Sequence, residues 1–236
     1  MNKMNSPTLN SSYSGSRPDI RRLVPDNIRR VLDVGCHAGA LGQALKAEHP
    51  SLTVYGIELD ARVIPIAVQR LDKVFHSDVE TFAWTQLHGL TFDCIIFADI
   101  LEHLRHPWLV LENAADYVSP GGCIIISLPN IRHISSLYWI YVRGIWPMRD
   151  RGIHDKTHLR FFTLHNIHQL LASTGYAVIK VRRQYRLVER PSRLNELLFS
   201  RLCGAVLMDR LPVIREFFTY QYLIVANRLR SSGKAS

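Results

Sequence analysis

At residues 31–41 the chain reads VLDVGCHAGAL, which is an apolar strand pattern followed by a glycine-bearing turn and the start of a helix. In parallel α/β sheets a turn of this kind lies at the carboxyl end of a strand, where nucleotides bind. The glycines Gly35 and Gly39 have the spacing G-x-x-x-G, whereas the dinucleotide fingerprint is G-x-G-x-x-G. Asp33 adds a carboxylate beside the turn, which disfavours a pyrophosphate and favours a cationic nucleoside.

Strand and helix patterns alternate after this turn. The sequence predicts strands at residues 30–34, 52–57, 74–76, 92–98, 123–128, 176–181 and 220–226. Because helix patterns separate the early strands, the alternation predicts βαβ units and a mainly parallel, doubly wound α/β sheet. A Ser-Pro-Gly-Gly turn is expected at residues 119–122, immediately before the fifth strand.

Carboxylates stand at or just after the ends of the first four predicted strands, at Asp33, Glu58, Asp78 and Asp99. Glu58 occupies a position from which a carboxylate can accept hydrogen bonds from both ribose hydroxyls of a nucleoside. Asp78 occupies one from which a carboxylate can accept from the adenine amino group, and Asp99 lies beside the expected crevice. Four such positions on successive strands are improbable by chance and indicate a site for an adenosyl group.

The composition is that of a folded globular protein, with 236 residues of which 47% are hydrophobic and 21% are charged. The net charge of +9 is unevenly distributed, since residues 1–130 carry −3 and residues 131–236 carry +12. This asymmetry predicts different roles for the two halves. The four cysteines form no C-x-x-C pair, which argues against a cysteine-rich zinc site and favours reduced thiols in the cytoplasm.

The amino-terminal segment, residues 1–16, is rich in serine and asparagine, and we expect it to be disordered or loosely docked. It lacks the apolar core of a secretion signal. No run of 18 apolar residues occurs in the sequence, so no membrane-spanning helix is expected. We expect residues 17–236 to form a single domain.

The sequence resembles the class I S-adenosylmethionine (SAM)-dependent methyltransferases. The resemblance is carried by VLDVGCHAGALG, by YGIELD, by FDCIIFADILEHL, and by the SPGG turn with CIIISLPN after it, which together span about residues 28–130. Within the superfamily the chain is most similar to the small-molecule branch that includes the ubiquinone-biosynthesis O-methyltransferases. The later segment HDKTHLRFFT resembles bacterial methyltransferases associated with sugar and polysaccharide modification.

This resemblance implies a seven-stranded sheet of order 3-2-1-4-5-7-6, in which the last strand is antiparallel. It implies SAM as the cofactor, and residues 131–162 and 192–208 as elements on the acceptor side, where they could form a lid. The cofactor-binding residues that it implies are Asp33, Gly35, Cys36, His37, Gly39, Glu58, Leu59, Asp78 and Asp99. His37 departs from the family pattern, which has glycine there; a side chain at this position either crowds the methionine end of SAM or points outward.

The expected reaction is methylation of oxygen on a small molecule or saccharide, which could be nucleotide-linked or lipid-linked. A neutral hydroxyl is a poor nucleophile, so a base is expected, and His158 is the first candidate, followed by His103 and Asp155. His103 with Asp99 or Glu102 does not form a convincing metal-ligand pattern in the sequence, so metal-independent catalysis is expected. The candidates for contact with the acceptor are His154, Arg160, Tyr138 and Trp139.

Three alternatives remain open from the sequence. The aromatic stretch at residues 134–146, ISSLYWIYVRGIW, could be a lid, a helix packed on the sheet, or a peripheral contact with anionic lipid at the inner face of a membrane. The basic second half could bind RNA, although its arginines are scattered and DILEH replaces the N-P-P-Y type of segment found in enzymes that methylate base amines. The change at His37 could also mark a scaffold protein that has lost catalysis.

Overall fold

The computed structural model describes residues 15–187 and 212–229. Their strands form one seven-stranded sheet in the order β3-β2-β1-β4-β5-β7-β6. β7 is antiparallel to both of its neighbours, and the other pairings are parallel. The doubly wound α/β fold, its strand order and the antiparallel last strand are therefore confirmed.

The seven strands follow one another along the chain in the order that the sequence pattern predicts. The strands are β1 Arg30–Val34, β2 Thr53–Glu58, β3 Lys73–His76, β4 Phe92–Ala98, β5 Val118–Pro129, β6 Tyr176–Tyr185 and β7 Thr219–Arg228. The α-helices are α1 Pro18–Arg21, α2 Ala40–Glu48, α3 Ile64–Ala67, α4 Pro107–Ala115, α5 Ile134–Leu137, α6 Leu164–Ser173 and α7 Pro212–Phe218. Short 3₁₀ turns lie at Trp84–Leu87 and Leu101–His103, and a π-helical turn at Tyr138–Val142 continues α5.

The central strand β1 is buried on both faces because helices cover the sheet on each side. Leu32 and Val34 belong to one hydrophobic cluster, and Val31 belongs to a second cluster on the opposite face. This division follows the two-residue period of a strand. Asp33 lies between β2 and β4, in register with Gly56 and Ile96, so the parallel strands present their carboxyl ends along one edge.

Two local predictions were wrong. Residues 119–122 do not form a turn before the fifth strand; they belong to β5, and the pairing of β4 with β5 shifts register between Phe92 and Cys94 to accommodate the two glycines. The sequence pattern also predicts a helix at residues 61–71, but only Ile64–Ala67 is α-helical; the helix cannot begin at Ala61 because Pro65 has no amide hydrogen to donate to the carbonyl of that residue.

The amino-terminal residues 1–14 and the acceptor-side element expected at residues 192–208, which has a helical sequence pattern, lie outside the described residues. Among the residues that are described, no helix has both the length and the apolar character needed to cross a bilayer.

Candidate functional site

A cavity of about 700 Å³ opens at the carboxyl ends of the central strands. Eight of the nine residues proposed for the cofactor line it: Asp33, Gly35, Cys36, His37, Glu58, Leu59, Asp78 and Asp99. The ninth, Gly39, does not line the cavity. It precedes α2 with φ of 73°, and a Cβ there would stand 3.1 Å from Cγ of Leu71. The second glycine of the turn therefore serves the start and the packing of the helix.

The carboxylate of Glu58 holds together the turns that follow β1 and β2. Its Oε2 accepts a 2.7 Å hydrogen bond from the backbone amide of His37, and its Oε1 accepts a 2.8 Å bond from the amide of Asp60. Backbone amides of Gly35 and Cys36 also donate to the carbonyl of Ile57. A carboxylate oxygen can accept more than one hydrogen bond, so these contacts leave Glu58 able to accept from a ribose.

Asp33 is the most deeply buried acid of the cavity wall, with 2% of its surface exposed. Burial and, to a lesser extent, the charge of Glu58 raise the pKa of Asp33, Arg17 partly opposes them, and the net value is about 7. Removing water from a carboxylate disfavours its charged form, and a neighbouring negative charge does the same. A cationic ligand in the cavity would relieve both penalties.

His37 adopts a left-handed backbone conformation, with φ of 47°. This region is costly for a residue with a Cβ and accounts for the glycine of the related motifs. The imidazole is not turned out into solvent: it lines the cavity, and its Nδ1 is buried and has no hydrogen-bond partner among the described residues. A buried polar atom without a partner in a ligand-sized cavity is consistent with a ligand that supplies one.

Sequence reasoning missed Arg17, which reaches the site from its position immediately before α1. Its Nη1 donates a 2.6 Å hydrogen bond to Oδ2 of Asp99, and its Nη2 donates to Oδ2 of Asp19 and to the hydroxyl of Ser127. Burial opposes the charge, but the carboxylates of Asp99 and Asp19 raise the pKa of Arg17 above its ordinary value. The arginine precedes a proline in a polar tail, and neither feature signals a buried site.

Asp99 is held from several sides at the end of β4. Its Oδ1 accepts from the hydroxyl of Ser127 at 2.5 Å and from the side-chain amide of Gln221, which lies on β7. Its own backbone has φ of 55°. These contacts fix one carboxylate of the cavity against β5 and β7, so the far edge of the sheet contributes to the site.

Three of the remaining candidates, His103, His158 and Asp155, lie close together beside the cavity. The ring centroids of His103 and His158 are 4.7 Å apart. One side-chain atom of a kind that can bind a metal, a ring nitrogen or a carboxylate oxygen, from each of Glu102, His103 and His158 lies within 4.8 Å of the other two. Asp155 accepts from the amide and hydroxyl of Thr157, and that hydroxyl lies 3.0 Å from Nδ1 of His103. Sequence reasoning placed the two histidines as separate candidates and did not foresee their contact.

Within this cluster only His103 lines the cavity, together with the neighbouring Asp155 and Thr157. His158 lies behind His103 and is 9% exposed. Burial lowers the pKa of both imidazoles, and the charge of His103 further lowers that of His158. Burial, and then Asp99, raises the pKa of Glu102 well above its ordinary value.

The four residues predicted to contact the acceptor do not line the cavity. His154 is fully buried against the ring of Trp146, 5.3 Å between centroids. Arg160 donates to the carbonyl of Arg105 and stacks on Trp108. Tyr138 and Trp139 contact each other in the π-helical region, with Arg149 over the ring of Trp139. A role for them in acceptor binding therefore requires an acceptor that extends beyond the cavity.

Comparison with known proteins gives a consistent assignment. The family model described as a methyltransferase domain matches residues 14–181. The ubiquinone biosynthesis O-methyltransferase of Paracidovorax citrulli is 32% identical over 142 residues, covering 56% of this chain and 58% of that protein. The protein of the same name from Psychrobacter arcticus is 28% identical over 158 residues, covering 63% and 59%. The match thus spans somewhat more than half the length of these curated relatives.

Solved structures agree in fold. A SAM-dependent methyltransferase from Archaeoglobus fulgidus superimposes with a TM-score of 0.61 at 20% identity, covering 88% of this chain and 90% of that one. The plantazolicin methyltransferase BpumL, solved with S-adenosylhomocysteine (SAH) and a desmethylplantazolicin analogue, gives a TM-score of 0.58 at 17% identity, covering 93% and 84%. With the sequence match over residues 14–181, these findings establish that the chain belongs to the methyltransferase domain family.

Proposed function

We propose that this protein is a SAM-dependent methyltransferase that methylates oxygen on a small molecule or saccharide. The observation that carries the proposal is the cavity at the carboxyl ends of the strands, whose wall brings Asp33, Glu58, Asp78 and Asp99 together. A cavity with this excess of carboxylates favours an adenosyl ligand that carries positive charge over a pyrophosphate.

The residues present fit SAM. Glu58 would accept from the ribose hydroxyls and Asp78 from the adenine amino group, in keeping with their positions after β2 and β3. Asp33 and Asp99 would face the cationic methionine end, and the partnerless Nδ1 of His37 would bond to the ligand there. Bound SAM would supply a methyl group already activated by its positive sulfur.

The chain must then position and deprotonate the acceptor hydroxyl. His103 is better placed for this role than His158, because its ring lines the cavity whereas that of His158 lies behind it. Asp155 would orient His103 through the hydroxyl of Thr157, so the three form a relay from a buried carboxylate to the imidazole. Burial keeps the imidazole neutral near pH 7, which is the form that accepts a proton.

The acceptor side is supplied by the segment after β5. Residues 150 and 155–157 and Leu159 contribute to the cavity wall, beyond the region that the motifs cover. The rings of Trp146 and Phe161 do not line the cavity, but they are partly exposed in the same segment, 4.9 Å apart, and offer a face for a sugar or an aromatic ring. The names of the curated relatives also favour a small-molecule acceptor.

We further propose a cytoplasmic protein that touches anionic lipid through the π-helical turn and the residues after it. Tyr141, Val142 and Met148 are between 70% and 80% exposed, and Arg143 is exposed beside them. Apolar side chains bordered by arginine suit an anionic bilayer surface. Sedimentation with vesicles containing phosphatidylglycerol should pull down the protein, and V142D/R143E should abolish this; equal sedimentation of the variant would contradict the contact.

Calorimetric titration with SAH tests the cofactor proposal. The wild type should bind at micromolar concentration, and E58Q should weaken binding about 10- to 100-fold, the value of a charge-assisted hydrogen bond. E112Q, which changes an exposed glutamate on α4, is the matched control and should bind as the wild type. Absence of binding at millimolar SAH would overturn the proposal and leave a scaffold protein as the better interpretation.

Discrimination between acceptor classes needs a separate measurement. Methyl transfer from labelled SAM should occur to small phenols, sugars or sugar nucleotides and not to RNA. The opposite result is methylation of RNA, with an affinity that falls with salt along a slope of log K against log salt concentration that corresponds to release of several ions. In that case the nucleic-acid alternative replaces the small-molecule one.

A further inference from the structure

Glu102, His103 and His158 form a compact set of metal-ligand types that the sequence separates. His158 lies 55 positions after His103, in the segment that follows β5, yet one ligand atom from each of the three residues lies within 4.8 Å of the others. The cluster is largely buried, with Glu102 1% exposed and His158 9% exposed. Buried sets of two imidazoles and a carboxylate are uncommon unless they bind something.

The two imidazoles are oriented as metal-ligating histidines usually are. Nδ1 of His158 lies 3.1 Å from the carbonyl oxygen of Ile153, and Nδ1 of His103 lies 3.3 Å from that of Thr157. A ring that donates from Nδ1 to a carbonyl is fixed in the tautomer whose Nε2 carries a lone pair. Both rings therefore offer Nε2 as the ligand nitrogen.

Glu102 supplies the unsatisfied atom of the cluster. Its Oε2 is buried and has no hydrogen-bond partner among the described residues. Its backbone carbonyl accepts from the amides of Leu159 and Arg160, so the 3₁₀ turn that carries Glu102 and the segment that carries His158 are held together independently of the side chains. The cluster is thus assembled by the backbone, and its buried carboxylate oxygen lacks a partner that a cation would provide.

We propose that Glu102, His103 and His158 bind one divalent transition-metal ion beside the cavity, at the part of its wall that His103 forms, and that this ion acidifies the acceptor hydroxyl. The proposal rests on the proposed function and changes the role of the imidazoles from proton acceptor to ligand. The hydroxyl proton would pass to solvent at the cavity mouth. The acceptor oxygen would then form its bond to the methyl carbon as the carbon–sulfur bond of SAM breaks, which leaves SAH.

The donor set indicates the kind of ion. Two nitrogens and one carboxylate oxygen suit Zn²⁺, Co²⁺ or Mn²⁺ better than Mg²⁺, which prefers oxygen ligands and keeps its waters. Three protein ligands leave a position open for a hydroxyl, as in catalytic zinc sites. Tetrahedral ligands at ~2.1 Å from zinc stand about 3.4 Å apart, so binding would draw the three side chains together.

The test is titration of the full chain, first treated with chelator, with Co²⁺ and with Zn²⁺. One Co²⁺ per chain should bind and give the visible d–d absorption of a low-symmetry site, and Zn²⁺ should displace it. T157V removes a hydroxyl that contacts Nδ1 of His103, and loss of such a partner of a ligand typically weakens metal binding ~10- to 100-fold. E102Q and H158N remove ligands themselves, so each should weaken binding by more than T157V does. Lack of specific binding in the wild type, or unchanged binding in E102Q and H158N, would overturn the proposal.

Matched controls separate loss of the site from loss of the fold. H168N changes an exposed histidine on α6 and E112Q an exposed glutamate on α4, and both should bind Co²⁺ as the wild type. E102Q and H158N should keep the circular dichroism spectrum and the SAH affinity of the wild type. Glu102→Asp, which keeps the charge, should recover part of the Co²⁺ affinity that E102Q loses if the carboxylate is a ligand.

Activity distinguishes failure of this proposal from failure of the proposed function. The metal-free protein should bind SAH normally but transfer methyl groups at least about tenfold more slowly until Co²⁺ or Mn²⁺ is restored. Full activity of the metal-free protein would overturn the metal proposal and leave the methyltransferase proposal intact. Loss of SAH binding in every form would overturn the methyltransferase proposal, and the Co²⁺ spectrum would still decide the metal site.

Discussion

Arg17 and Asp99 are 82 positions apart in the chain and are joined by a 2.6 Å hydrogen bond between Nη1 and Oδ2. Arg17 also donates to the hydroxyl of Ser127 on β5. The residue before α1 is therefore hydrogen-bonded to the carboxyl ends of both β4 and β5. This arrangement places Arg17 at the acidic end of the cavity, where the methionine part of SAM is proposed to lie. The pair therefore connects the residue before α1 to the acidic wall of the cavity.

Replacing Arg17 with glutamine should lower both stability and SAH affinity. The variant loses a half-buried charged hydrogen bond and leaves Asp99 without its cation, which should cost about 1.5–3 kcal/mol in the free energy of unfolding. Because the cation would face the methionine carboxylate, SAH affinity should fall about tenfold while adenosine affinity stays the same. Thermal melts and calorimetry measure these effects, with exposed Arg22→Gln as the control. Equal losses for SAH and adenosine would contradict a role at the methionine end.

The fold was accessible to sequence reasoning because its determinants are local. The period-two apolar pattern of β1 and the turn glycines lie within residues 31–41, and the carboxylates follow successive strands in order. Eight of the nine proposed cofactor residues consequently meet in the cavity. Gly39 is the exception. A glycine after a strand can either make room for a ligand or allow the backbone conformation that begins a helix, and the local sequence is the same in both cases.

The rest of the site depends on contacts between distant segments, which no local pattern encodes. Arg17 precedes the first strand, and His158 reaches Glu102 and His103 only because the segment after β5 folds back on the end of β4. The expectation of a metal-independent site came from reading residues 99–103 alone. A third side chain of a metal-ligand type, 55 positions after His103, can be recognised only once the backbone brings it there.

Asp33 should make both stability and cofactor binding depend on pH. Its pKa is about 7 in the folded protein, and the ordinary value of ~3.9 applies to the unfolded chain. Between about pH 4 and pH 7 the carboxyl group is therefore protonated in the folded state and ionised in the unfolded state. Stability of the ligand-free protein should therefore fall as pH rises from about 4 to about 7 and then level off. Urea unfolding at a series of pH values measures this, and D33N should remove that part of the pH dependence.

Binding of SAM should respond to pH in the opposite direction. A cation near Asp33 favours the ionised carboxylate, so affinity should increase as pH rises towards 7, by up to about tenfold per pH unit. Uncharged adenosine should show a much shallower dependence. If the affinity of D33N for SAM rises with pH as steeply as that of the wild type, Asp33 is not the group that senses the ligand charge.

Replacing His37 with glycine should not lower the stability of the folded protein, unlike most substitutions at the site. A residue with a Cβ is strained at φ of 47° by ~1–2 kcal/mol, and glycine removes this strain from the folded state. Glycine also makes the unfolded chain more flexible, which cancels ~0.5–1 kcal/mol of the gain in stability. We expect an unchanged or higher melting temperature. H37A keeps the strain and loses the ring, so it should melt lower than both the wild type and H37G; the reverse order would contradict a strained backbone at this position.

The same two variants decide what the imidazole contributes to cofactor binding. If Nδ1 of His37 bonds to the methionine end of the ligand, H37G and H37A should both weaken SAH binding to a similar extent despite their different stabilities. If instead the ring crowds the ligand, both should bind SAH more tightly. Calorimetry distinguishes the outcomes by sign, and the first is the one that the buried, partnerless nitrogen predicts.

Trp139→Ala tests whether the aromatic segment closes over the acceptor. The ring packs against Tyr138 and beneath the guanidinium of Arg149, outside the wall of the cofactor cavity. As part of a lid, it should affect the acceptor and not the cofactor, so its removal should raise the acceptor KM at least about tenfold and change SAH affinity less than twofold. Steady-state kinetics with the identified acceptor, paired with SAH calorimetry, measures both. Equal effects on the two ligands would indicate that Trp139 supports the packing of the whole segment, because loss of packing disturbs both sides of the site.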